Sequence, residues 1–111
     1  MRKQFSAANA EFYTHRSARL HWHDMGAAVE ISMYPLAGDY RPLIQAFIDR
    51  LNTYPELHVV TNALSTQIWG DLGRVMAILA AEMGRAAAAG PQPVFVLKVL
   101  PGLERTPAPL P

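Results

Sequence analysis

Two short stretches of the chain carry polar and aromatic side chains at alternate positions. Glu30, Ser32 and Tyr34 alternate with apolar residues in the first stretch, and Gln67 and Trp69 flank an isoleucine in the second. If that isoleucine points to the core, all five side chains lie on one face of a sheet, because strand side chains alternate between faces. A surface that combines a carboxylate, hydroxyls, an amide and aromatic rings suits a small polar ligand or a partner subunit.

Catalytic and metal-binding patterns are weak in comparison. His21, His23 and Asp24 lie close together, but the segment lacks the further ligands on a rigid frame that a stable metal site requires. His58 has no neighbour that marks it as catalytic, and no nucleophile or phosphate-loop motif occurs. The sequence also selects no pair of carboxylates for acid–base work. It therefore predicts a non-enzymatic protein with no metal and no cofactor.

Composition narrows the expected partners and location. The chain has 111 residues, a formal net charge of +1 and no cysteine. Near-neutral charge provides no strong field for phosphates, so we expect no nucleic-acid partner, and the lack of cysteine excludes disulfides and thiol chemistry. No apolar stretch is long enough to span a bilayer, and the N-terminus lacks the apolar block of a signal peptide. We expect a cytoplasmic protein without membrane insertion.

Six segments with regular patterns would position the polar side chains. Apolar residues at every second position predict strands, and apolar residues at helical spacing predict helices. The expected order is a strand over 28–34, a helix from an N-cap at Asp39 to about Tyr54, strands over 57–62 and 65–69, a helix from Leu72 to Gly90, and a strand over 94–100. The last strand is almost entirely apolar, which predicts a central strand or one covered on both faces.

The order β-α-β-β-α-β is that of a ferredoxin-like α+β sandwich, in which a four-stranded antiparallel sheet packs two helices on one face. The other sheet face is then open.

We expect a poorly ordered N-terminal extension over 1–26, a ferredoxin-like domain over 27–102 and a Pro-rich disordered tail over 103–111. Met25 directly precedes the first regular pattern, so one hypothesis is that the natural chain starts there. RNA-recognition domains share this order, but their third strand needs basic residues that are absent from 65–71.

Three segments of this domain carry a family resemblance: Ala28–Leu36, Thr61–Asp71 and Pro93–Pro101. The most specific parts are Glu-Ile-Ser-Met-Tyr-Pro-Leu at 30–36 and Leu-Ser-Thr-Gln-Ile-Trp-Gly-Asp at 64–71. Together they resemble the YkoF-type thiamine/hydroxymethylpyrimidine-binding domain family. The resemblance implies a ferredoxin-like domain whose sheets pack in pairs and which binds thiamine or its pyrimidine moiety without converting it.

The resemblance also implies an oligomer. The founding type of the family carries two such domains in one chain, whereas this sequence has one and shows no internal repeat. We therefore expect a homodimer or homotetramer that restores the pairing through the open sheet face. The family resemblance also implies a role in vitamin uptake or salvage.

The implied ligand gives roles to particular residues. An aminopyrimidine has ring nitrogens that accept hydrogen bonds and an exocyclic amine that donates them. The groups that would satisfy it belong to Glu30, Ser32, Asn62, Ser65, Thr66 and Gln67. Tyr34 or Trp69 could stack on either ring, or make a cation–π contact with the thiazolium. Ser65 and Thr66 lie in the most specific segment and are the first candidates.

Other interpretations of these residues stay open at the level of sequence. Asn62 could form a turn, and Tyr34 and Trp69 could be anchors of a subunit interface. An ACT-like structural or regulatory oligomerisation module would use the open face for protein contact alone, without a heterocyclic ligand. An enzyme of thiamine metabolism is a third, weaker alternative, which turnover of the ligand would distinguish.

Overall fold

The computed structural model describes residues 25–103. The predicted N-terminal extension lies outside the described residues except for its last two positions, and so do His21, His23 and Asp24. The predicted Pro-rich tail is outside them except for Leu103. No helix within residues 25–103 is long and apolar enough to cross a membrane.

Four strands and two helices follow one another in the predicted order. They are β1 (Gly26–Pro35), α1 (Arg41–Leu51), β2 (His58–Thr61), β3 (Thr66–Asp71), α2 (Leu72–Ala89) and β4 (Pro93–Pro101). The strands form one antiparallel sheet in the order β2-β3-β1-β4. The protein is therefore an α+β ferredoxin-like domain, as the sequence predicts.

The core lies between one face of the sheet and the two helices. Every second residue of β1 and β3 faces the helices, which buries Val29, Ile31 and Ile68. The helices contribute apolar side chains at helical spacing to the same cluster: Phe47, Leu51, Val75, Ile78 and Leu79. The burial of Ile68 fixes the phase of β3, because its neighbours along the strand must face the opposite way.

The start of α1 differs from the prediction. The N-cap is Tyr40 instead of Asp39, because the Tyr40 carbonyl already accepts the Ile44 amide at 3.1 Å and so closes the first turn. Pro42 lies in that turn, and it has no amide hydrogen that needs a cap. Among the described residues, the side chain of Tyr40 makes no capping hydrogen bond. The helix therefore starts without the predicted carboxylate cap.

The end of β3 also differs from the prediction. The strand continues through Gly70 to Asp71 instead of breaking at Gly70. A Cβ at Gly70 would lie 3.0 Å from Cγ2 of Val75, so glycine lets the end of the strand approach the next helix closely. Asp71 is the N-cap of α2, although its side chain makes no capping hydrogen bond to the described residues.

The position of β4 corrects a third expectation. β4 pairs only with β1 and is an edge strand of the described chain, not a central one. Its side chains alternate: Phe95 and Leu97 pack against the core, whereas Val96 and Leu100 are exposed on the other face. A strand that is apolar on both faces has the same sequence pattern whether its outer face is covered or exposed. In the described part of the chain, the outer face of β4 is exposed and forms an apolar part of the protein surface.

Candidate functional site

The strand register places five of the predicted residues on the open face of the sheet. Glu30 of β1 lies opposite Gln67 of β3, and Trp69 lies opposite the small Ala28. Ser32 and Tyr34 follow Glu30 at alternate positions of β1 and therefore face the same side. The carboxylate, the amide and the rings that the sequence predicts to share one face do share it.

The Glu30 carboxylate is held from two sides. The Ser65 hydroxyl donates a hydrogen bond of 2.9 Å to Oε2, and Nζ of Lys98 lies 3.5 Å from Oε1. The Glu30 side chain remains 38% exposed. We call Glu30, Ser65, Gln67 and Lys98 the Glu30 cluster. Its carboxylate is oriented by Ser65 while Oε1 keeps room for a further donor, because the contact with Lys98 is long and solvent-exposed.

Apolar and aromatic side chains surround this cluster on the same face. Val60 lies opposite Gln67, Val96 opposite Ser32, and Leu100 opposite Ala28. The indole of Trp69 packs against the imidazole of His58, with 5.7 Å between ring centroids. We call Val60, Trp69, Val96 and Leu100 the apolar rim. An exposed apolar surface that contains a small number of polar groups is typical of a ligand-binding or interaction surface.

Two predicted residues lie away from the Glu30 cluster. The Asn62 side-chain oxygen accepts the amides of Leu64 at 2.8 Å and Ser65 at 3.1 Å, which makes it part of the β2–β3 turn. Thr66 faces the helices, is 5% exposed, and shares a hydrogen bond of 3.0 Å with the hydroxyl of Thr61. The turn nevertheless has a bearing on the cluster, because it fixes the backbone that carries Ser65.

Thr66 and Asn62 border a cleft on the helix side of the sheet. This cleft has a volume of about 160 Å³ and lies between the end of β1, α1 and the β2–β3 turn. Ser65 lines it as well, so the cleft and the Glu30 cluster meet at this residue. Sites for small molecules usually measure roughly 300–1,000 Å³. The cleft is too small for thiamine, which has two rings, whereas the open face carries the exposed and oriented Glu30 carboxylate and has room for either ligand. The open face is therefore the better candidate site.

Two residues of the site are missing from the sequence prediction. Lys98 reaches Glu30 because β4 lies beside β1, and His58 packs on Trp69 because β2 lies beside β3. Lys98 is the one charged residue within the apolar run Val94–Leu100, and that isolation was a signal. His58 and Trp69 can be paired only when the register of the hairpin is known.

These features define a ferredoxin-like domain with a polar cluster and an apolar rim on its open sheet face. Several solved structures share this fold, including the following three. A hypothetical protein of Methanocaldococcus jannascii is 23% identical, with a TM-score of 0.61, over 76% of this chain and 84% of that chain. A Thermotoga maritima protein, provisionally described as a thiamine biosynthesis/salvage protein, is 16% identical, with a TM-score of 0.61, over 67% and 81%. A DUF77 domain of unknown function from Bacillus cereus is 15% identical, with a TM-score of 0.54, over 73% and 82%.

Neither a protein-family model nor a curated protein sequence matches the chain. At the identities above, the similarity to solved structures establishes the shared fold. The fold that the YkoF-type resemblance implies is thereby confirmed.

Proposed function

We propose that this protein binds thiamine, hydroxymethylpyrimidine or a similar small heterocycle at the Glu30 cluster, and that it does so without converting the ligand. The observation that carries this proposal is the Glu30 carboxylate, which Ser65 orients at 2.9 Å on a sheet face where the side chain is still 38% exposed. A buried carboxylate could not reach a ligand, and an unsupported one would not fix its orientation.

The cluster matches the donors and acceptors of an aminopyrimidine. Oε1 of Glu30 accepts the exocyclic amine in place of Lys98, whose nitrogen is 3.5 Å away and 75% exposed. Gln67 lies directly opposite Glu30; its amide N–H groups can donate to a ring nitrogen, and its amide oxygen can accept from the exocyclic amine. Ser65 donates its hydrogen to Glu30 and keeps free lone pairs for a ligand donor.

The rings beside the cluster suit the rest of the ligand. Trp69 is half-buried and braced by His58, so its indole offers a fixed surface for stacking. A cationic thiazolium above such a ring gains roughly 0.5–2 kcal/mol from the cation–π interaction. Tyr34, which is exposed on the same face, is the second candidate for this contact.

A second copy of the chain would complete the site. Small-molecule sites bury most of their ligand, whereas this sheet face is open in one chain. The exposed Val60, Val96 and Leu100 are the kind of surface that a partner subunit covers. We therefore propose a homodimer or homotetramer in which two open faces enclose the ligand. We further propose a role in vitamin uptake or salvage; the description of the Thermotoga maritima neighbour as a thiamine biosynthesis/salvage protein accords with salvage.

Calorimetric titration of the full chain with thiamine and with hydroxymethylpyrimidine tests this proposal. We expect saturable binding, with each ligand recovered unchanged by chromatography after incubation. Glu30→Gln should weaken binding by at least about tenfold, because it removes a charge-assisted hydrogen bond. Asp49→Asn is the matched control, since this exposed helix carboxylate contacts only Gln45 at 2.8 Å among the described residues. Absence of binding at millimolar ligand, or equal losses in both variants, would contradict the proposal.

One observation favours a second function. The apolar rim extends along β4 to Val94, which is also exposed, and such a surface can serve protein contact alone. An ACT-like oligomerisation module would have this surface and no heterocyclic ligand. In that case light scattering should detect an oligomer that Val96→Glu dissociates, while the titrations show no binding.

A further inference from the structure

A second cavity lies between α1 and α2, on the opposite side of the sheet from the Glu30 cluster. Its volume is about 130 Å³, roughly that of four water molecules, which is the room that one small organic molecule needs. Most of its wall is apolar and comes from Met33, Leu43, Ala46, Phe47, Ala86, Ala89 and Pro91. The charged part of its wall consists of Arg50, Glu82 and Arg85. The cavity is therefore an apolar pocket with one charged end.

The carboxylate at that end is fully occupied. Glu82 is 1% exposed, and Oε1 accepts Nε of Arg50 at 3.1 Å and Nε of Arg85 at 3.2 Å. Oε2 accepts Nη2 of Arg50 at 3.0 Å and the hydroxyl of Tyr54 at 2.6 Å. The hydrogen bonds from Arg50 hold the pKa of Glu82 below its ordinary value. Burial raises this pKa, and the hydrogen bond from Tyr54 lowers it. Glu82 is thus an ionised group with no acceptor left for a ligand.

The two arginines, in contrast, have donors to spare. Among residues 25–103, Arg85 uses only Nε and Arg50 uses Nε and Nη2 in hydrogen bonds, out of five N–H groups on each guanidinium. Both side chains are partly open to solvent. Two guanidinium charges beside one carboxylate leave a net charge of +1 at this end of the cavity. The pocket therefore offers planar, charged donors next to an apolar wall.

We propose that this cavity binds a small organic monocarboxylate with a compact aromatic or branched aliphatic body. The ligand carboxylate would accept the spare guanidinium N–H groups of Arg85 and Arg50, and its apolar body would contact the wall beside Phe47 and Ala89. A single negative charge balances the net charge of +1, whereas a phosphate dianion would leave an uncompensated charge beside apolar side chains. The inference goes beyond the proposed function, because it concerns a different face of the domain and a negatively charged ligand.

Titration of the full chain with benzoate, benzamide and acetate tests this site. Benzoate should bind, benzamide should bind at least about tenfold more weakly because it lacks the charge, and acetate should also be weaker because it lacks the apolar body. Equal affinities for benzoate and benzamide, or no benzoate binding at concentrations on the order of ten millimolar, would overturn the proposal.

Two variants with matched controls locate the site. Arg85→Gln should weaken benzoate binding by about tenfold, while Arg74→Gln, which removes an arginine of α2 paired with Glu56 away from this cavity, should not. Ala89→Trp should fill the cavity and abolish binding, while Ala80→Trp at an exposed position outside the cavity wall should not. Equal effects in either pair would refute the assignment, provided that thermal unfolding shows all four variants folded. Thiamine binding by Ala89→Trp should be unchanged, which separates this test from that of the proposed function.

Discussion

Glu30 on the open sheet face and Glu82 between the helices are both carboxylates paired with basic side chains, but they differ in what remains available. Glu82 is buried and receives four hydrogen bonds from three residues. Glu30 is partly exposed and has one hydrogen bond from Ser65 and one long ion pair with Lys98. A saturated carboxylate fixes the structure around it, whereas an oriented but unsaturated one can accept a ligand.

The comparison predicts very different contributions to stability. Glu82→Gln should lower the free energy of unfolding by about 3 kcal/mol, because the buried amide would face arginine donors with its own N–H groups and the ion pairs would be lost. Glu30→Gln should change it by less than about 0.5 kcal/mol, because its partners are exposed. Urea unfolding of the full chain at neutral pH measures both values. Similar losses in the two variants would remove the distinction between the sites.

The same contrast should appear as a pH dependence. The folded-state pKa of Glu82 is lowered from 4.5, chiefly by the Arg50 hydrogen bonds. A carboxyl whose pKa is depressed by folding stabilises the protein above its unfolded pKa, and this contribution is lost as the pH falls through the folded pKa. The stability difference between the wild type and Glu82→Gln should therefore be large at pH 6.5 and shrink on acidification below about pH 4. Urea titrations at several pH values check this, and a pH-independent difference would contradict it.

Local patterns in the sequence are enough to predict the fold and one face of the candidate site. Alternation in β1 fixes the phase of Glu30, and the burial of Ile68 does the same for Gln67 and Trp69. Alternation relates neighbours along one strand, but the burial of Ile68 in the folded structure decides which set of β3 side chains faces the helices. The sorting of the predicted residues between two faces follows from the same alternation, because Thr66 must face away from Gln67.

The Glu82 site could not be predicted in the same way. Glu82 occupies a position of the buried stripe of α2, where an acidic residue interrupts the apolar pattern instead of indicating a site. Its partners Arg50 and Tyr54 come from α1 and the turn that follows it, far away in the sequence, and nothing in their local pattern marks them. Lys98 does stand out as the one charged residue in an apolar run, but its partner could not be inferred, because Glu30 lies on a strand that pairs with β4 only in the folded sheet.

A tyrosine from each region tests the contrast at a smaller scale. Tyr54→Phe removes one of four hydrogen bonds to Glu82 and should lower the free energy of unfolding by about 1–2 kcal/mol. The two arginines continue to hold the carboxylate, so the loss should be smaller than for Glu82→Gln. Tyr34→Phe on the open face should have an effect within about 0.5 kcal/mol, since this side chain is exposed. Thermal or urea unfolding of both variants measures the difference, and a larger loss for Tyr34→Phe would contradict it.

Substitution of Lys98 should have the smallest effect on stability and a specific effect on thiamine affinity. Its ammonium is exposed and 3.5 Å from Glu30, so Lys98→Met should change the free energy of unfolding by less than about 0.5 kcal/mol. The same change should raise the affinity for thiamine about twofold, because the ligand would no longer displace a competing cation from Oε1 of Glu30. Arg41→Met removes an equal charge from the start of α1 and controls for the net charge of the protein. A lower thiamine affinity in Lys98→Met would mean that Lys98 supports the bound ligand, and that the accessible oxygen of Glu30 is not where the ligand amine binds.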